Sequence, residues 1–188
     1  MKTLIIDNFD SFVYNIAQLL RRYTDDIEVV ENNNLEGCTE RYDRVIISPG
    51  PGNPDNPSDS GDIFRFLRNR KYGNVLGVCF GHQALGSFLG SRISHAPVLM
   101  HGEIDSIHHF GGPLFNGVPE TFRSVRYHSL VVSAGSGIVV DAVSGTDGSV
   151  MAFHSPDHRY FGVQFHPESF YSQFGDVIIS NFMTGDAR

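Results

Sequence analysis

The chain has 188 residues, 40% of them hydrophobic and 12% aromatic, with a formal net charge of -7 at pH 7. This length suits one well-filled core and is short for two, so we expect a single domain over residues 1–188. The negative charge disfavours nucleic acid as a partner, because a phosphate backbone requires a basic face. No apolar run approaches the ~20 residues of a membrane helix, and Asp7 arrives too early for a secretory signal. We therefore expect a cytoplasmic protein that does not bind membranes.

Strands and helices alternate in the first half of the chain. Apolar spacing predicts strands over Thr3–Ile6, Ile27–Val30, Val45–Ser48 and Val75–Val78, and helices over Phe12–Leu20, Ile63–Leu67 and His82–Leu89. Asp10 or Ser11 is the expected cap of the first helix. Residues 48–57 are too rich in Pro and Gly for a regular element and must form a loop. The alternation indicates a parallel α/β sheet, with its active site beyond the carboxyl ends of the strands.

Short alternating strands follow Gly90. They are predicted over Gly102–Ile107, Phe122–Val125, Leu130–Ser133, Ile138–Val143, Val150–His154 and Tyr160–Phe165. We expect these strands to be largely antiparallel, and a last helix over Phe174–Met183 to end at Gly185. The predicted fold class is thus α/β, a mostly parallel central sheet flanked by helices, with additional antiparallel strands in the C-terminal half.

Cys79 has the sequence context of a nucleophile. It follows an apolar strand and is flanked by Gly77 and Gly81, the spacing of a sharp strand-to-helix turn that lifts one side chain clear of the backbone. A thiol at a helix N-terminus is favoured as the reactive thiolate. Cys38 is the only other cysteine, so we expect no disulfide framework. The alternative for Cys79 is a buried structural cysteine.

His166 is the best-placed of nine histidines to act as a base. It closes an apolar strand, and Glu168 follows two residues later, where a carboxylate could orient the imidazole and stabilise its protonated form. His108 and His109 should point to opposite faces of a strand. We expect surface positions for these two and for His154 and His158.

A metal site is a second interpretation of the same residues. The side chains of Cys79, His82, His166 and Glu168 are all metal-ligand types, and cysteine with histidine suits zinc. The chain has neither a Cys-x-x-Cys pair nor a His-Glu-x-x-His motif, and a Gly-rich turn is a poor scaffold for a structural metal. We therefore expect neither a metal nor a cofactor in this chain.

Five motifs carry a resemblance to a known family. They are Asp7-Asn-Phe-Asp-Ser-Phe12, Ser48-Pro-Gly-Pro-Gly52, Gly77-Val-Cys-Phe-Gly-His-Gln83, Arg126-Tyr-His-Ser-Leu130 and Gly162-Val-Gln-Phe-His-Pro-Glu-Ser169. Together they resemble the motifs of class I, triad-type glutamine amidotransferases, in family order. The first and fourth motifs resemble those of the chorismate-using branch of the family. In that branch the partner is a chorismate-binding synthase subunit, which makes anthranilate or aminodeoxychorismate. The resemblance implies that the substrate is L-glutamine and that the partner is such a subunit.

The resemblance also implies a role for each matching residue. Cys79 would be the nucleophile, His166 the acid and base, and Glu168 its orienting carboxylate. The substrate-binding positions would be Gly50, Pro51, Gly52 and the backbone N–H of Phe80 around the reacting carbonyl, with Gln83, Ser129 and Leu130 around the rest of glutamine. Two residues depart from the family pattern. Phe80 replaces a usual leucine, and Glu103 replaces a usual lysine, which reverses a charge that a partner could contact.

Two other classes of function remain open at this point. A free-standing cysteine hydrolase, such as a peptidase or γ-glutamyl hydrolase, could use the same turn around Cys79. A regulatory protein could bind glutamine without cleaving it, although the intact set of Cys79, His166 and Glu168 argues against this.

Overall fold

The computed structural model describes residues 1–69 and 71–185. The strands are β1 Thr3–Asp7, β2 Ile27–Glu31, β3 Tyr42–Ile47, β4 Tyr72–Val78, β5 Ile93–His95, β6 Glu103–His109, β7 Thr121–Arg126, β8 Leu130–Val132, β9 Val139–Ser144, β10 Val150–His154 and β11 Tyr160–Val163. The helices are α1 Val13–Leu20, α2 Pro57–Ser60, α3 Ile63–Asn69, α4 Phe80–Phe88 and α5 Gly175–Thr184. Within the described ranges, no helix is long and apolar enough to cross a membrane.

A nine-stranded sheet runs in the order β2-β1-β3-β4-β11-β10-β9-β6-β7. The strands from β2 to β11 are parallel, and those from β11 to β7 pair antiparallel. This confirms the predicted α/β class with added antiparallel strands. The last strand was expected among the antiparallel ones, but β11 also pairs parallel with β4, from Tyr160 opposite Val75 to Val163 opposite Val78. It therefore joins the two halves of the sheet.

Helices cover both faces of the parallel strands because consecutive strand residues point to opposite sides. In β3, Ile46 packs into the core that contains α1 and α5, whereas Val45 and Ile47 pack into the core that contains α3 and α4. All three side chains are fully buried. Since β1, β3, β4 and β11 are parallel and in register, the loops that follow their carboxyl ends meet at one edge of the sheet.

One local prediction was wrong, and one strand was missed. The first helix begins after Phe12, which has no side-chain cap bond, while the Asp10 carboxylate accepts a bond from the Phe12 N–H over 2.7 Å. Residues 93–95 form β5, which the sequence did not predict and which pairs with β8 in a separate two-stranded sheet. A strand of three residues is too short to give a recognisable alternation.

The surface positions expected for four histidines are wrong for two of them. His108 is exposed, whereas the neighbouring His109 faces inward and stacks on Phe115, as the alternation of a strand requires. His154 is buried, with Nδ1 2.8 Å from Asp141 and its ring stacked on His158. A polar partner on the neighbouring strand thus allows an imidazole to be buried.

Candidate active site

Cys79 lies on the sharp turn between β4 and α4. Its backbone has φ 52° and ψ -102°, a conformation that side-chain-bearing residues rarely adopt and that costs about 1–3 kcal/mol. A Cβ on Gly77 would lie 2.2 Å from the Gly81 carbonyl oxygen, and one on Gly81 would lie 2.1 Å from the Ile47 carbonyl oxygen. The two flanking glycines are therefore required by the close packing of strand and helix, as their spacing predicted.

His166 and Glu168 form a buried pair beside Cys79. His166 Nδ1 lies 2.6 Å from Glu168 Oε1, and both side chains are almost fully inaccessible to solvent. Burial by itself would lower the pKa of His166, but the adjacent Cys79 sulfur and the Glu168 carboxylate outweigh it and raise that pKa well above its usual range. The arrangement favours an imidazolium next to the Cys79 sulfur.

A cavity of about 280 Å³ opens in front of Cys79. The predicted residues that line it are Gly50, Pro51, Gly52, Cys79, Gln83, Ser129 and Leu130. Five further lining residues were not predicted, namely Leu99, Met100, His101, Tyr127 and His128. Tyr127 and His128 belong to the fourth motif, so their sequence position was a usable signal. The volume lies just below the usual range for small-molecule sites.

The Pro-Gly loop is held against the first motif. Asn8 donates from its backbone N–H to Ser48 Oγ over 3.0 Å and from Nδ2 to the Ser48 carbonyl over 2.7 Å. A Cβ on Gly50 would lie 2.5 Å from Asn8 Cβ, and one on Gly52, at φ +91°, would lie 2.4 Å from the Asp59 carboxylate. Both glycines therefore allow the backbone approach that brings this loop to the cavity.

The side-chain amide of Gln83 is held by two hydrogen bonds to the protein. Its Nε2 donates to the Leu130 carbonyl over 2.9 Å and to Gln164 Oε1 over 3.2 Å. These bonds fix the orientation of the amide and leave Oε1 as the atom available to a ligand. Gln164 is fully buried. We did not predict it, although it lies two residues before His166.

Phe80 and His82 both point their side chains into the protein interior. Phe80 is the first residue of α4, where backbone N–H groups have no partner within the helix and are available to an anion. His82 is fully buried against Phe153, and burial lowers its pKa to about 3. Across residues 1–69 and 71–185, no cluster of three or more His, Cys, Asp or Glu side chains could hold a metal ion.

Aromatic rings shield the imidazole of His166. The Tyr127 ring lies perpendicular to it with centroids 5.1 Å apart, and Phe12 stacks on Tyr127 at 6.3 Å. His101 contacts the same tyrosine at 6.0 Å. These rings limit the access of water to the His166–Glu168 pair.

The family model of class-I glutamine amidotransferases matches residues 4–185, and the chain belongs to this family. Within it, the chain is homologous to proteins named anthranilate synthase component 2. It is 42% identical over 192 residues to that of Saccharolobus solfataricus, covering 96% of this chain and 97% of the relative. It is 40% identical over 189 residues to that of Thermus thermophilus, covering 97% and 92%. An aminodeoxychorismate synthase of Streptomyces griseus is 38% identical over 186 residues, 97% of this chain but 26% of that longer protein.

Solved structures show the same fold. A Thermoplasma acidophilum protein described as a component of GMP synthase superimposes with a TM-score of 0.85 at 23% identity, covering 97% of this chain and 92% of the other. A glutamine amidotransferase of Thermotoga maritima gives a TM-score of 0.75 at 15% identity, covering 89% and 76%.

Proposed function

We propose that this chain is a glutaminase subunit that hydrolyses L-glutamine to glutamate and ammonia and delivers the ammonia to a chorismate-using synthase subunit. The observation that carries the proposal is the meeting of Cys79 with the His166–Glu168 pair at a cavity walled by the Pro-Gly loop and Gln83. A thiolate, a positioned proton donor and fixed backbone donors are the groups that acyl transfer requires.

In the proposed reaction, the Cys79 thiolate attacks the side-chain amide carbon of glutamine. The backbone N–H of Phe80, together with the loop at Gly50–Gly52, would stabilise the developing oxyanion. Protonated His166 gives its proton to the departing ammonia and leaves a thioester on Cys79. Neutral His166 then activates the water that hydrolyses the thioester, while Glu168 orients the imidazole throughout.

The rest of the substrate would lie between Gln83 and the backbone of Ser129 and Leu130. Gln83 Oε1 would accept a hydrogen bond from a substrate N–H, because both hydrogen bonds that the Gln83 side chain makes to the protein are donated by Nε2. The Phe12–Tyr127 stack lies beside this pocket and would keep bulk water from His166.

A separate subunit is proposed as the ammonia acceptor. The relatives aligned over nearly their whole length are named as the second component of anthranilate synthase. Anthranilate is therefore our first proposal for the product, and aminodeoxychorismate the second, which the Streptomyces griseus relative supports. Glu103, exposed at the start of β6, remains a candidate contact with that subunit. A cytoplasmic location remains a prediction.

The test is to compare Cys79→Ser with the unmodified chain, each combined with its synthase subunit. Synthesis from glutamine should be abolished, and synthesis from added ammonium should be nearly unchanged, because the thiol is required only to release ammonia. Cys38→Ser is the matched control and should retain both activities. Loss of both activities with the fold preserved would contradict the proposal. Equal glutamine hydrolysis with and without the subunit would favour a free-standing hydrolase, and the aromatic product would distinguish the two branches.

A further inference from the structure

Residues 166–173 run alongside β7, which is the strand at one edge of the nine-stranded sheet. The backbone N–H of His166 donates to the Val125 carbonyl over 3.4 Å, and the backbone N–H of Gln173 donates to the Arg123 carbonyl over 2.9 Å. The Arg123 N–H returns a bond to Gln173 Oε1 over 2.9 Å. The segment that carries His166 and Glu168 is therefore fastened to the outer side of β7.

The Ser172 hydroxyl lies at the centre of this attachment. It donates to the His166 carbonyl over 2.6 Å and lies 2.6 Å from Ser124 Oγ. A hydroxyl has a single hydrogen, and Ser172 uses it for His166, so Ser124 must be the donor in the second bond. Ser124 is fully buried and its hydroxyl thereby finds a partner. Ser172 thus connects the backbone of His166 to the buried face of β7.

We propose that Ser172 is a positioning residue that holds the backbone of His166 at the distance from β7 at which its imidazole lies between Cys79 and Glu168. The inference rests on the proposed glutaminase function and deepens it. Ser172 bonds the His166 carbonyl itself, and the short turn from His166 to Ser172 is closed further by the Ser169 N–H, which donates to that same carbonyl over 3.2 Å. A small movement of the turn would therefore move the imidazole directly.

A merely structural role predicts a different outcome from a positioning role. Gln173 fastens the same segment to β7, but both of its bonds there go to the Arg123 backbone rather than to His166. Removing the Gln173 side chain should therefore reduce stability alone. The titratable groups that face the His166 ring are Cys79, Glu168, Asp10, His128 and Tyr127, and none of them is altered by a change at position 172 or 173.

The experiment compares Ser172→Ala, Ser172→Thr and the control Gln173→Ala by three measurements. These are the pH dependence of Cys79 alkylation by iodoacetamide in the chain alone, glutaminase kinetics with the synthase subunit, and urea unfolding. For Ser172→Ala we expect the alkylation midpoint at higher pH and a loss of kcat of about 10- to 100-fold with KM little changed, since a ~1 Å displacement can cost about 10²-fold. Ser172→Thr should restore both, and Gln173→Ala should lower only stability.

An alkylation profile and kcat for Ser172→Ala that match those of Gln173→Ala would overturn the proposal. Ser124→Ala serves if Ser172→Ala does not fold, because it removes the donor to Ser172 and leaves the His166 bond. It should shift the alkylation midpoint in the same direction by a smaller amount, and an unchanged midpoint would also count against positioning. Alkylation requires neither glutamine nor a partner, so its outcome is separate from failure of the proposed function.

Discussion

Arg126 donates a hydrogen bond from Nε to Nε2 of His128 over 3.0 Å, although both side chains are buried. Arginine has only donors, so His128 Nε2 must be the acceptor, and its hydrogen is on Nδ1. That nitrogen lies 2.9 Å from the Leu130 carbonyl, which also accepts from Gln83. Burial, and then the charge of Arg126, lower the pKa of His128 to about 4. A neutral imidazole of one fixed tautomer therefore connects a buried cation to the wall of the cavity.

Arg126→Lys should weaken glutamine binding. A lysine keeps the positive charge near Asp105 but lacks the Nε–H that fixes His128, so the segment up to Leu130 loses one support. We expect KM for glutamine to rise by about 10-fold, which corresponds to about one hydrogen bond, with kcat little changed. Steady-state kinetics with the synthase subunit would show this. Arg123→Lys, exposed on the same strand, is the control, and an unchanged KM in Arg126→Lys would contradict the link.

Arg126→Met should strongly destabilise the fold. Arg126 Nη1 lies 2.6 Å from Asp105 and Nη2 lies 3.1 Å from Asp147, with all three side chains inaccessible to solvent. Removing the cation leaves buried carboxylates uncompensated, which costs about 3–5 kcal/mol. Urea unfolding measures this loss. Arg65→Met, whose ion pairs with Glu36 and Asp62 are more exposed, should change the free energy of unfolding by less than about 1 kcal/mol. Similar losses in both variants would refute the prediction.

Stability should fall as the pH is lowered from about 6.5 to 4. Burial lowers the pKa of His82 to about 3 and that of His128 to about 4, from an ordinary value of 6.5. Over this range the unfolded chain takes up a proton on each histidine and the folded chain does not. Each group therefore contributes a slope of up to about 1.4 kcal/mol per pH unit. The raised pKa of His166 affects the free energy of unfolding only above pH 6.5, where that free energy falls as the pH rises.

Urea unfolding at pH 7, 6, 5 and 4 would measure this slope. His128→Asn should remove about half of it, whatever its effect on stability at pH 7. The raised pKa values of Asp10 and Asp141 act with the opposite sign at the acid end of this range, so the comparison of the two chains isolates the histidine. An equal slope in His128→Asn and the unmodified chain would contradict a neutral His128 in the folded protein.

The glycines of the turn around Cys79 should tolerate no side chain. In Gly81→Ala the new methyl group would meet the Ile47 carbonyl oxygen, and either α4 or β3 would have to move. We expect destabilisation of about 3 kcal/mol or more, beyond the usual cost of overpacking because backbone cannot rotate away, together with loss of glutaminase activity. Gly37→Ala is the matched control, since a Cβ there meets nothing within 4 Å. A stable and active Gly81→Ala would show that the contact is not rigid.

Local patterns predicted the turn around Cys79 and the His166–Glu168 pair because both are encoded within a few residues of sequence. The place of β11 was not predictable in this way, since pairing between distant strands depends on the whole sheet. The buried position of Arg126 was not predictable either. A charged residue in a strand is expected to be exposed, and its two partners, Asp105 and Asp147, lie 21 residues away on either side. Only tertiary structure reveals that pairing.

The attachment of residues 166–173 to β7 also affects self-association of the chain. A terminal strand with unpaired N–H and C=O groups can add a strand from another chain, which leads to aggregation. Here the outward-facing backbone groups of Arg123 and Val125 are already bonded to Gln173, Ser172 and His166. The segment that carries the proposed proton donor therefore also covers the β7 edge against pairing with a strand of another chain, so a change that loosens it would expose that edge as a template for intermolecular β pairing.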